Sequence, residues 1–217
     1  MSDGVPCLWM RGGTSKGAVF LASDLPADRA ERDALLLSLM GSPDTRQIDG
    51  LGGGDPLTSK VAVIGPATRA DADIDYLFLQ VSVDRAVVSD AQGCGNILAA
   101  VGPAAIETGL IPAAHGTTDI RIHMVNTGGC ARSTVQTPRG AVTYDGDTRI
   151  DGVPGTHAPV ALWFDGLAGS MTGALLPAGA PLQQIDGVPV TLIDNGMPCV
   201  VMPAAALGIA GTEETAT

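Results

Sequence analysis

The chain has 217 residues, of which 45% are hydrophobic, and its 23 acidic and 12 basic side chains give a formal net charge of −11. This excess of acid disfavours a nucleic-acid-binding surface, because phosphate binding depends on clustered Lys and Arg. No segment approaches the roughly 18 apolar residues of a membrane helix, and the opening MSDG has neither the basic nor the apolar region of a secretory signal. We therefore expect a cytoplasmic protein that binds neither nucleic acid nor membrane.

The first predicted helix covers residues 28–40. Asp28 and Glu31 have the spacing of an N-terminal capping box, and the leucine-rich stretch that follows supplies apolar side chains. Gly41 follows the last apolar residue and is a common stop signal, because glycine adopts the left-handed conformation that ends many helices.

The second predicted helix covers residues 95–108 and is apolar on almost its whole circumference until Glu107. A helix without a polar face is a buried helix. Gly102 and Pro103 lie in its middle, so the pattern predicts either a kink or a close approach by another element at this point.

Most of the remaining chain is predicted as short strands, because β-rich runs alternate with turn residues. In the clearest strand, 119–126, apolar and polar side chains alternate. The other predicted strands are 6–10, 17–22, 61–64, 76–83, 131–135, 141–144, 160–164 and 188–193. Two helices are too few for a doubly wound parallel sheet, so we expect an α+β fold with a mainly antiparallel sheet wrapped around one buried helix.

Residues 166–187 are rich in Gly, Ala and Pro, which is typical of a domain boundary. The β-rich segment after them is predicted to open a new structural unit, but the chain stops at GTEETAT with little left to bury. We expect a near-complete first domain over residues 1–186 and the truncated start of a second domain over residues 187–217.

Neither the cysteines nor the histidines are spaced as metal ligands. Close cysteine pairs are absent, and the three histidines stand far apart without an HxxxH or HExxH motif. We expect no metal, reduced thiols, and structural roles for Cys7, Cys130 and Cys199.

Residues 10–17, MRGGTSKG, form a glycine-rich loop between the first two predicted strands. Arg11, Thr14, Ser15 and Lys16 are donors suited to a carboxylate, and the glycines let backbone N–H groups turn toward a ligand. The residue order does not fit a phosphate-binding P-loop, and no helix follows. We expect this loop to bind an anionic group.

A second loop, residues 49–60, reads DGLGGGDPLTSK and ends where the next strand begins. It places Ser59 and Lys60 at that junction. A lysine serves as a general base only where burial or a neighbouring cation favours its neutral form, and a glycine-rich loop can supply such surroundings.

The third loop, QGCGN, comes directly before the buried helix and contains Cys94. The partial positive charge of a helix N-terminus stabilises a thiolate, and the free N–H groups of Gly95 and Asn96 can hold a carboxylate or an enolate oxygen. The alternative is a buried structural cysteine. The two flanking glycines favour a thiol that reaches a substrate.

At these loops the sequence resembles the PrpF family, which includes 2-methylaconitate cis–trans isomerase and 4-oxalomesaconate tautomerase. The matching stretches include MRGGTSKGAVFLASDLP, GSPDTRQIDGLGGGDPLTSKVAVI, CGNILAAVGPAAIETGLIPA and VTLIDNGMPCVVM. Residues 44–64 are most similar to the tautomerase branch, which acts in gallate and related aromatic-acid breakdown.

The resemblance implies a fold like that of diaminopimelate epimerase, in which two related domains enclose the active site. In the PrpF family a Cys-Gly-Asn motif acts with a lysine that follows a Ser/Thr pair, which implies Cys94 and Lys60 as the catalytic acid–base pair. The expected substrate-binding residues are Arg11, Thr14, Ser15, Ser59, Gly95, Asn96, Asn195 and Met197. Family members are longer, so the expected partner of this chain is the missing C-terminal half of the same enzyme, and a homodimer is left open.

The function implied is a cofactor-independent isomerase or tautomerase of an unsaturated oxo-tricarboxylate, with 4-oxalomesaconate as the best single candidate. Which member of the pair is the base and which the acid is left open. The same machinery would serve a 2-methylaconitate or aconitate isomerase. An alternative of another class is a non-catalytic binding domain or fragment that keeps the fold.

Overall fold

The computed structural model describes residues 4–214. The chain forms two compact units, one up to Phe164 and one from Asp165 onward. The predicted domain boundary, after residue 186, therefore lies inside the second compact unit, and its position in the longer family proteins stays a prediction.

A large mixed sheet forms the frame of the first unit. Its strands are β1 (Leu8–Gly12), β2 (Ser15–Leu21), β3 (Lys60–Pro66), β4 (Ile74–Val81), β5 (Val88–Ser89), β6 (Gly116–Met124), β7 (Gly129–Thr137) and β8 (Ala161–Phe164). Their order is β1-β2-β3-β4-β6-β7-β8, and β5 pairs with β4. Only β2–β3 and β4–β6 are parallel among these pairs, so the predicted mainly antiparallel sheet is confirmed.

Helix α2 (Gly95–Glu107) is the buried helix that its apolar sequence predicts. It packs on β1, β2, β3, β4 and β7. Leu98 and Val101 are fully buried in one core cluster with Ile120 and Ile122 of β6. The sheet therefore wraps around α2, which confirms the predicted α+β architecture.

Helix α1 (Arg29–Met40) covers the opposite face of the sheet, where Leu36 packs in a second core cluster. Its predicted ends are also confirmed. Asp28 is the N-cap and accepts a hydrogen bond from the Glu31 N–H at 3.0 Å, while Gly41 ends the helix with φ at 79°. Neither α1 nor α2, the α-helices within residues 4–214, is long and apolar enough to cross a membrane.

The glycine in the middle of α2 permits a close approach by β7. A Cβ at Gly102 would lie 2.6 Å from Ser133 Oγ and 2.8 Å from Val135 Cγ2. Of the two alternatives predicted for this position, the structure shows the close approach.

The predicted strand at 141–144 is wrong. Ala141 to Tyr144 contains no strand, although the Thr143 N–H donates to Gln136 O and the Ala158 N–H donates to Tyr144 O. Strand β8 pairs only with residues 131–134 of β7. Beyond that stretch, the bond from Thr143 is the single backbone hydrogen bond that joins 141–144 to β7 among residues 4–214. One such bond does not make a ladder, because a β-rich sequence forms a strand only through continued cross-strand pairing.

The second unit contains a three-stranded antiparallel sheet. Its strands are β9 (Gln183–Ile185), β10 (Val188–Asp194) and β11 (Pro198–Val201), with β10 in the centre. The predicted strand at 188–193 is confirmed as β10, and it belongs to this separate sheet.

We expect Gly102→Ala to lower the stability of the first unit. Alanine is normally the better helix residue, but here its methyl group overpacks the contact with β7, which costs about 1–3 kcal/mol. Urea denaturation measures the change. Gly95→Ala in the same helix is the matched control, because its Cβ would meet only an ordinary contact 3.5 Å from Phe164. Equal stability of both variants would contradict the close approach.

Candidate active site

Cys94 lies at the N-terminus of α2, where the sequence predicted it. It is the N-cap residue and is half-buried, and its side chain makes no capping hydrogen bond. The first N–H groups of a helix have no partner within the helix, and here they belong to the exposed Gly95 and Asn96. The thiol and these donors are therefore available to one ligand at the same helix end.

Tyr76 on β4 fixes the backbone at Cys94. Its hydroxyl donates to Cys94 O at 3.2 Å, and its side chain is only 1% exposed. Burial, together with the nearby Cys94, raises the pKa of Tyr76 well above its usual value. The hydroxyl therefore stays protonated and remains a donor.

The turn between β1 and β2 packs directly on the first turn of α2. A Cβ at Gly12 would collide with the carbonyl oxygen of Asn96, and one at Gly13 would collide with the Asn96 side chain. Asn96 Nδ2 donates to Thr14 Oγ1 at 3.1 Å. The structure thus brings together residues from two of the three predicted loops, and only glycine fits at the contact.

Arg11 and Ser15, two further predicted substrate-binding residues beside this turn, differ in how free they are to bind a ligand. Arg11 is exposed, and its Nη1 donates to Gly13 O at 2.7 Å. Ser15 is 1% exposed, and its Oγ has no hydrogen-bond partner among residues 4–214. An unpaired buried hydroxyl costs free energy, so Ser15 is a candidate for a ligand or water contact.

Lys60 is the first residue of β3 and is only 7% exposed. Its Nζ donates to Gln80 Oε1 at 2.7 Å and lies 5.1 Å from the centroid of the Phe78 ring. Gly17 on β2 allows close packing here, because a Cβ at that position would collide with Lys60 O. A buried amine thus lies between an amide oxygen and an aromatic face.

Cys94 and Lys60 contact neighbouring side chains on one face of β4. Tyr76 bonds to Cys94 O, and Phe78, the next residue of β4 on that face, lies below Lys60 Nζ. Tyr76 and Phe78 both belong to the core cluster on the α2 side of the sheet. Cys94 and Lys60 therefore both contact the α2 side of the sheet, and their role as an acid–base pair stays a prediction.

Ser59 lies in an internal polar network of the second loop. It is fully buried, its Oγ donates to Val81 O at 2.9 Å, and it accepts from Gln47 Nε2 at 2.7 Å. Gln47 Oε1 accepts from the Gly54 N–H at 3.0 Å. The hydroxyl is occupied in holding this loop in place, so the predicted substrate contact of Ser59 gains no support from the geometry.

Three cations of the glycine-rich loops, Arg11, Lys16 and Lys60, form no ion pair within residues 4–214. The same holds there for four arginines outside these loops, Arg46, Arg132, Arg139 and Arg149. Burial distinguishes Lys60 from these side chains, and a buried cation without a counter-ion favours an anionic partner. In the described part of the chain, no three His, Cys, Asp or Glu side chains are placed to hold a metal ion.

A cavity of about 620 Å³ lies beside α2, between this helix, β1 and the connection from β7 to β8. Gly95 and Asn96 line one part of it, and Glu107 from the last turn of α2 also lines it. Tyr144 donates to Glu107 Oε1 at 2.8 Å, and burial and this carboxylate raise the pKa of Tyr144. The cavity includes the exposed start of α2.

Asn195 and Met197 lie in the second unit, in the turn between β10 and β11. Asn195 makes an isolated bridge with Ala168, and Met197 is 59% exposed. Their role as substrate contacts stays a prediction.

Asp194 precedes this turn and was not predicted as a site residue. It is fully buried, and its Oδ2 accepts from the N–H groups of Met171 and Thr172 at 2.8 and 2.7 Å. Burial raises the pKa of Asp194, but these hydrogen bonds and that of the Thr172 hydroxyl outweigh it, so the pKa is lowered. The carboxylate fixes residues 171–172 to the end of β10.

Gln80 was also missed by sequence analysis, although a signal was present. It continues the face of β4 that carries Tyr76 and Phe78, and it is the polar residue at the end of this apolar row. Gln47 gave no such signal, because its partners Ser59 and Gly54 are brought to it only by the folded loop.

The fold is one that is known from crystallography. The structure is similar to the crystal structure of a methylitaconate-delta-isomerase, with a TM-score of 0.83 and 46% identity over 96% of this chain and 55% of that one. The family model described as PrpF protein matches residues 3–217. The chain belongs to the PrpF family.

Two relatives are more similar in sequence. The (4E)-oxalomesaconate Delta-isomerase of Novosphingobium sp. (strain KA1) is 64% identical over 212 residues, and the 4-oxalomesaconate tautomerase of Pseudomonas putida (strain KT2440) is 57% identical over 213 residues. Each match covers 98% of this chain but 59% of the relative. The chain thus spans less than two thirds of the length of these proteins.

We expect Asp194→Ala to release the loop that carries Met171 and Thr172. The two backbone N–H groups lose their acceptor, so their hydrogen exchange, measured by NMR, should become faster. Asp165→Ala is the control, because Asp165 is an exposed aspartate of the same unit. Unchanged exchange in Asp194→Ala would contradict the anchoring role.

Acid should have the same effect on the wild-type loop. The folded pKa of Asp194 is lowered, below the value of about 3.9 for an unfolded aspartate. The stabilisation is therefore complete above that pH and is lost as the pH falls through the folded value. Asp194→Ala should lack this acid-dependent loosening.

Proposed function

We propose that the chain forms the first part of a cofactor-independent isomerase that moves a proton on 4-oxalomesaconate, an unsaturated oxo-tricarboxylate. The observation that carries the proposal is the placement of Cys94 and Lys60, which contact adjacent side chains on one face of β4. The names of the two relatives support this substrate.

The two groups suit a proton transfer through an enolate. One removes a proton from a carbon made acidic by a neighbouring carbonyl or double bond, and the electron pair of the broken C–H bond moves into a dienolate. The partner returns a proton to another carbon or to oxygen. The substrate carbonyl takes up the electron pair, so this step uses only groups that the protein and the substrate supply.

The helix end provides stabilisation for the charge that develops. Gly95 and Asn96 follow Cys94 as the first residues of α2, and their N–H groups have no partner within the helix, as in sites that hold an oxyanion. Donors that are already in place need no reorganisation during the reaction. Asn96 is further fixed by its hydrogen bond to Thr14.

The substrate carboxylates would meet the unpaired cations of the first unit. Arg11 lies on β1, next to the turn that packs on α2, and Lys60 is nearly buried without a counter-ion among residues 4–214. Burying an ammonium group is costly unless a partner is present. A carboxylate of the substrate supplies such a partner, and a neutral amine avoids the cost.

The remaining part of the enzyme would come from a C-terminal region like that of the relatives. We propose that this region completes the site, and that Asn195 and Met197 contact the substrate from the second unit. This chain continued through such a region is the extended protein.

We expect Cys94→Ala to remove most turnover of 4-oxalomesaconate by the extended protein, because the thiol is one member of the acid–base pair. Absorbance of the substrate measures the rate, and circular dichroism checks the fold. Cys7→Ala, which changes an exposed cysteine, should keep wild-type turnover. A Cys94→Ala protein with near wild-type kcat would refute the assignment.

Lys60→Met should lower kcat by at least about 10²-fold, the lower end of acid–base contributions. Lys60→Arg should not restore it, because a guanidinium group does not exchange protons near neutral pH. Arg139→Lys is the control, since it exchanges an exposed cation outside the glycine-rich loops. Full activity of Lys60→Arg would mean that Lys60 only binds a carboxylate.

The non-catalytic alternative makes a different prediction for the same proteins. If the fold only binds a ligand, the extended protein binds 4-oxalomesaconate without converting it. Isothermal titration together with the turnover assay separates binding from catalysis.

A further inference from the structure

The side-chain amide of Gln80 is held in one orientation by backbone carbonyl groups. Its Nε2 donates to Ser59 O at 2.9 Å and to Pro56 O at 3.2 Å. Both partners are acceptors only, so the amide NH₂ must face them. The oxygen of the amide is thereby directed at Lys60 Nζ, at 2.7 Å.

This arrangement presents Lys60 with a neutral acceptor. An amide oxygen accepts a hydrogen bond from an ammonium group and also from a neutral amine. A carboxylate at the same place would favour the ammonium form strongly, because a close opposite charge shifts a titration by about 1–3 units. Gln80 therefore fixes the position of Nζ without fixing its charge.

We propose that Gln80 is the positioning residue that holds Lys60 Nζ in place while leaving it free to gain and lose a proton. The inference rests on the proposed function, in which Lys60 exchanges a proton with the substrate. A proton-exchanging lysine needs a fixed position and must be able to exist as both ammonium and amine. Gln80 meets both requirements, because it holds Nζ in place and carries no charge.

Two substitutions separate this role from simple packing, because they should act in opposite directions. Gln80→Glu removes the two amide hydrogen bonds to Ser59 O and Pro56 O, whose oxygens repel a carboxylate, and leaves the negative charge in reach of Nζ. That charge stabilises the ammonium group and moves the titration midpoint of Lys60 to higher pH. Gln80→Met keeps the length of the side chain but removes the acceptor. The nearly buried ammonium group then loses its partner, so the midpoint moves to lower pH.

The titration can be followed directly by NMR in the 217-residue chain, because Lys16 and Lys60 are its only lysines. Labelling lysine with ¹³C at Cε gives two signals, and Lys16→Arg assigns them. We expect a shift of about one unit or more upward in Gln80→Glu and a downward shift in Gln80→Met. The exposed Lys16 serves as the internal reference.

Gln136→Glu is the matched control for added charge. Gln136 is a half-buried glutamine of β7 in the same sheet, and its side chain makes no hydrogen bond within residues 4–214. The control adds the same charge away from Lys60, so its Lys60 midpoint should equal the wild-type value. Thermal unfolding of every variant reports any loss of structure separately.

The extended protein provides a second readout. In Gln80→Glu the limb of the pH–rate profile that depends on Lys60 should move to higher pH by about one unit or more. Movement of the acidic limb identifies Lys60 as the base, and movement of the alkaline limb identifies it as the acid. Gln80→Met should lower kcat more than it raises KM, because the amine is no longer held at the reacting position.

Midpoints that stay unchanged, or that move in the same direction in both variants, overturn the role of Gln80. Failure of the proposed function looks different, because Lys60→Met would then retain wild-type turnover whatever the titration shows. If the Lys60 midpoint moves in opposite directions in the two Gln80 variants and Lys60→Met is inactive, both the role of Gln80 and the proposed function are supported.

Discussion

The burial of helix α2 inside the sheet is the constraint on which the rest of the first unit depends. An almost wholly apolar helix has to be surrounded, and here the sheet curves around it. Gly102 lets β7 approach closely in the middle of the helix, and Gly12 lets the β1–β2 turn pack on its start. Cys94 is thereby fixed at the start of α2, next to the exposed Gly95 and Asn96.

The glycine-rich loops supply the polar and charged side chains of the candidate site. Among the described residues, the exposed Arg11 and the nearly buried Lys60 have no carboxylate partner, although acidic residues outnumber basic ones in the sequence. For Lys60 this is costly for folding alone, because a buried cation without a counter-ion is destabilising. It is readily understood if an anionic substrate provides the missing charge. The buried amide of Gln47 stabilises the longest of these loops from within.

In the second unit, too, a buried polar side chain holds a loop in place. Asp194 is buried and accepts hydrogen bonds from the backbone of residues 171–172, which connects two loops that lie far apart in the sequence. Its other carboxylate oxygen has no partner among residues 4–214. The turn that carries Asn195 and Met197 follows directly, so the anchor also limits the positions of these two residues.

The sequence by itself determined the helices, most strands, the thiol at a helix start and the lysine at the loop–strand junction. These features depend on caps, periodicity and glycine placement, which are local. Only the tertiary structure decided that 141–144 forms no strand, because a single backbone hydrogen bond, from Thr143 to Gln136, joins this segment to β7 in the described chain. It also decided the partners of Lys60, since Gln80 lies 20 residues away in the chain. A hydrogen bond between distant residues depends on the register of β3 with β4, and that register is fixed by packing of the whole sheet around α2.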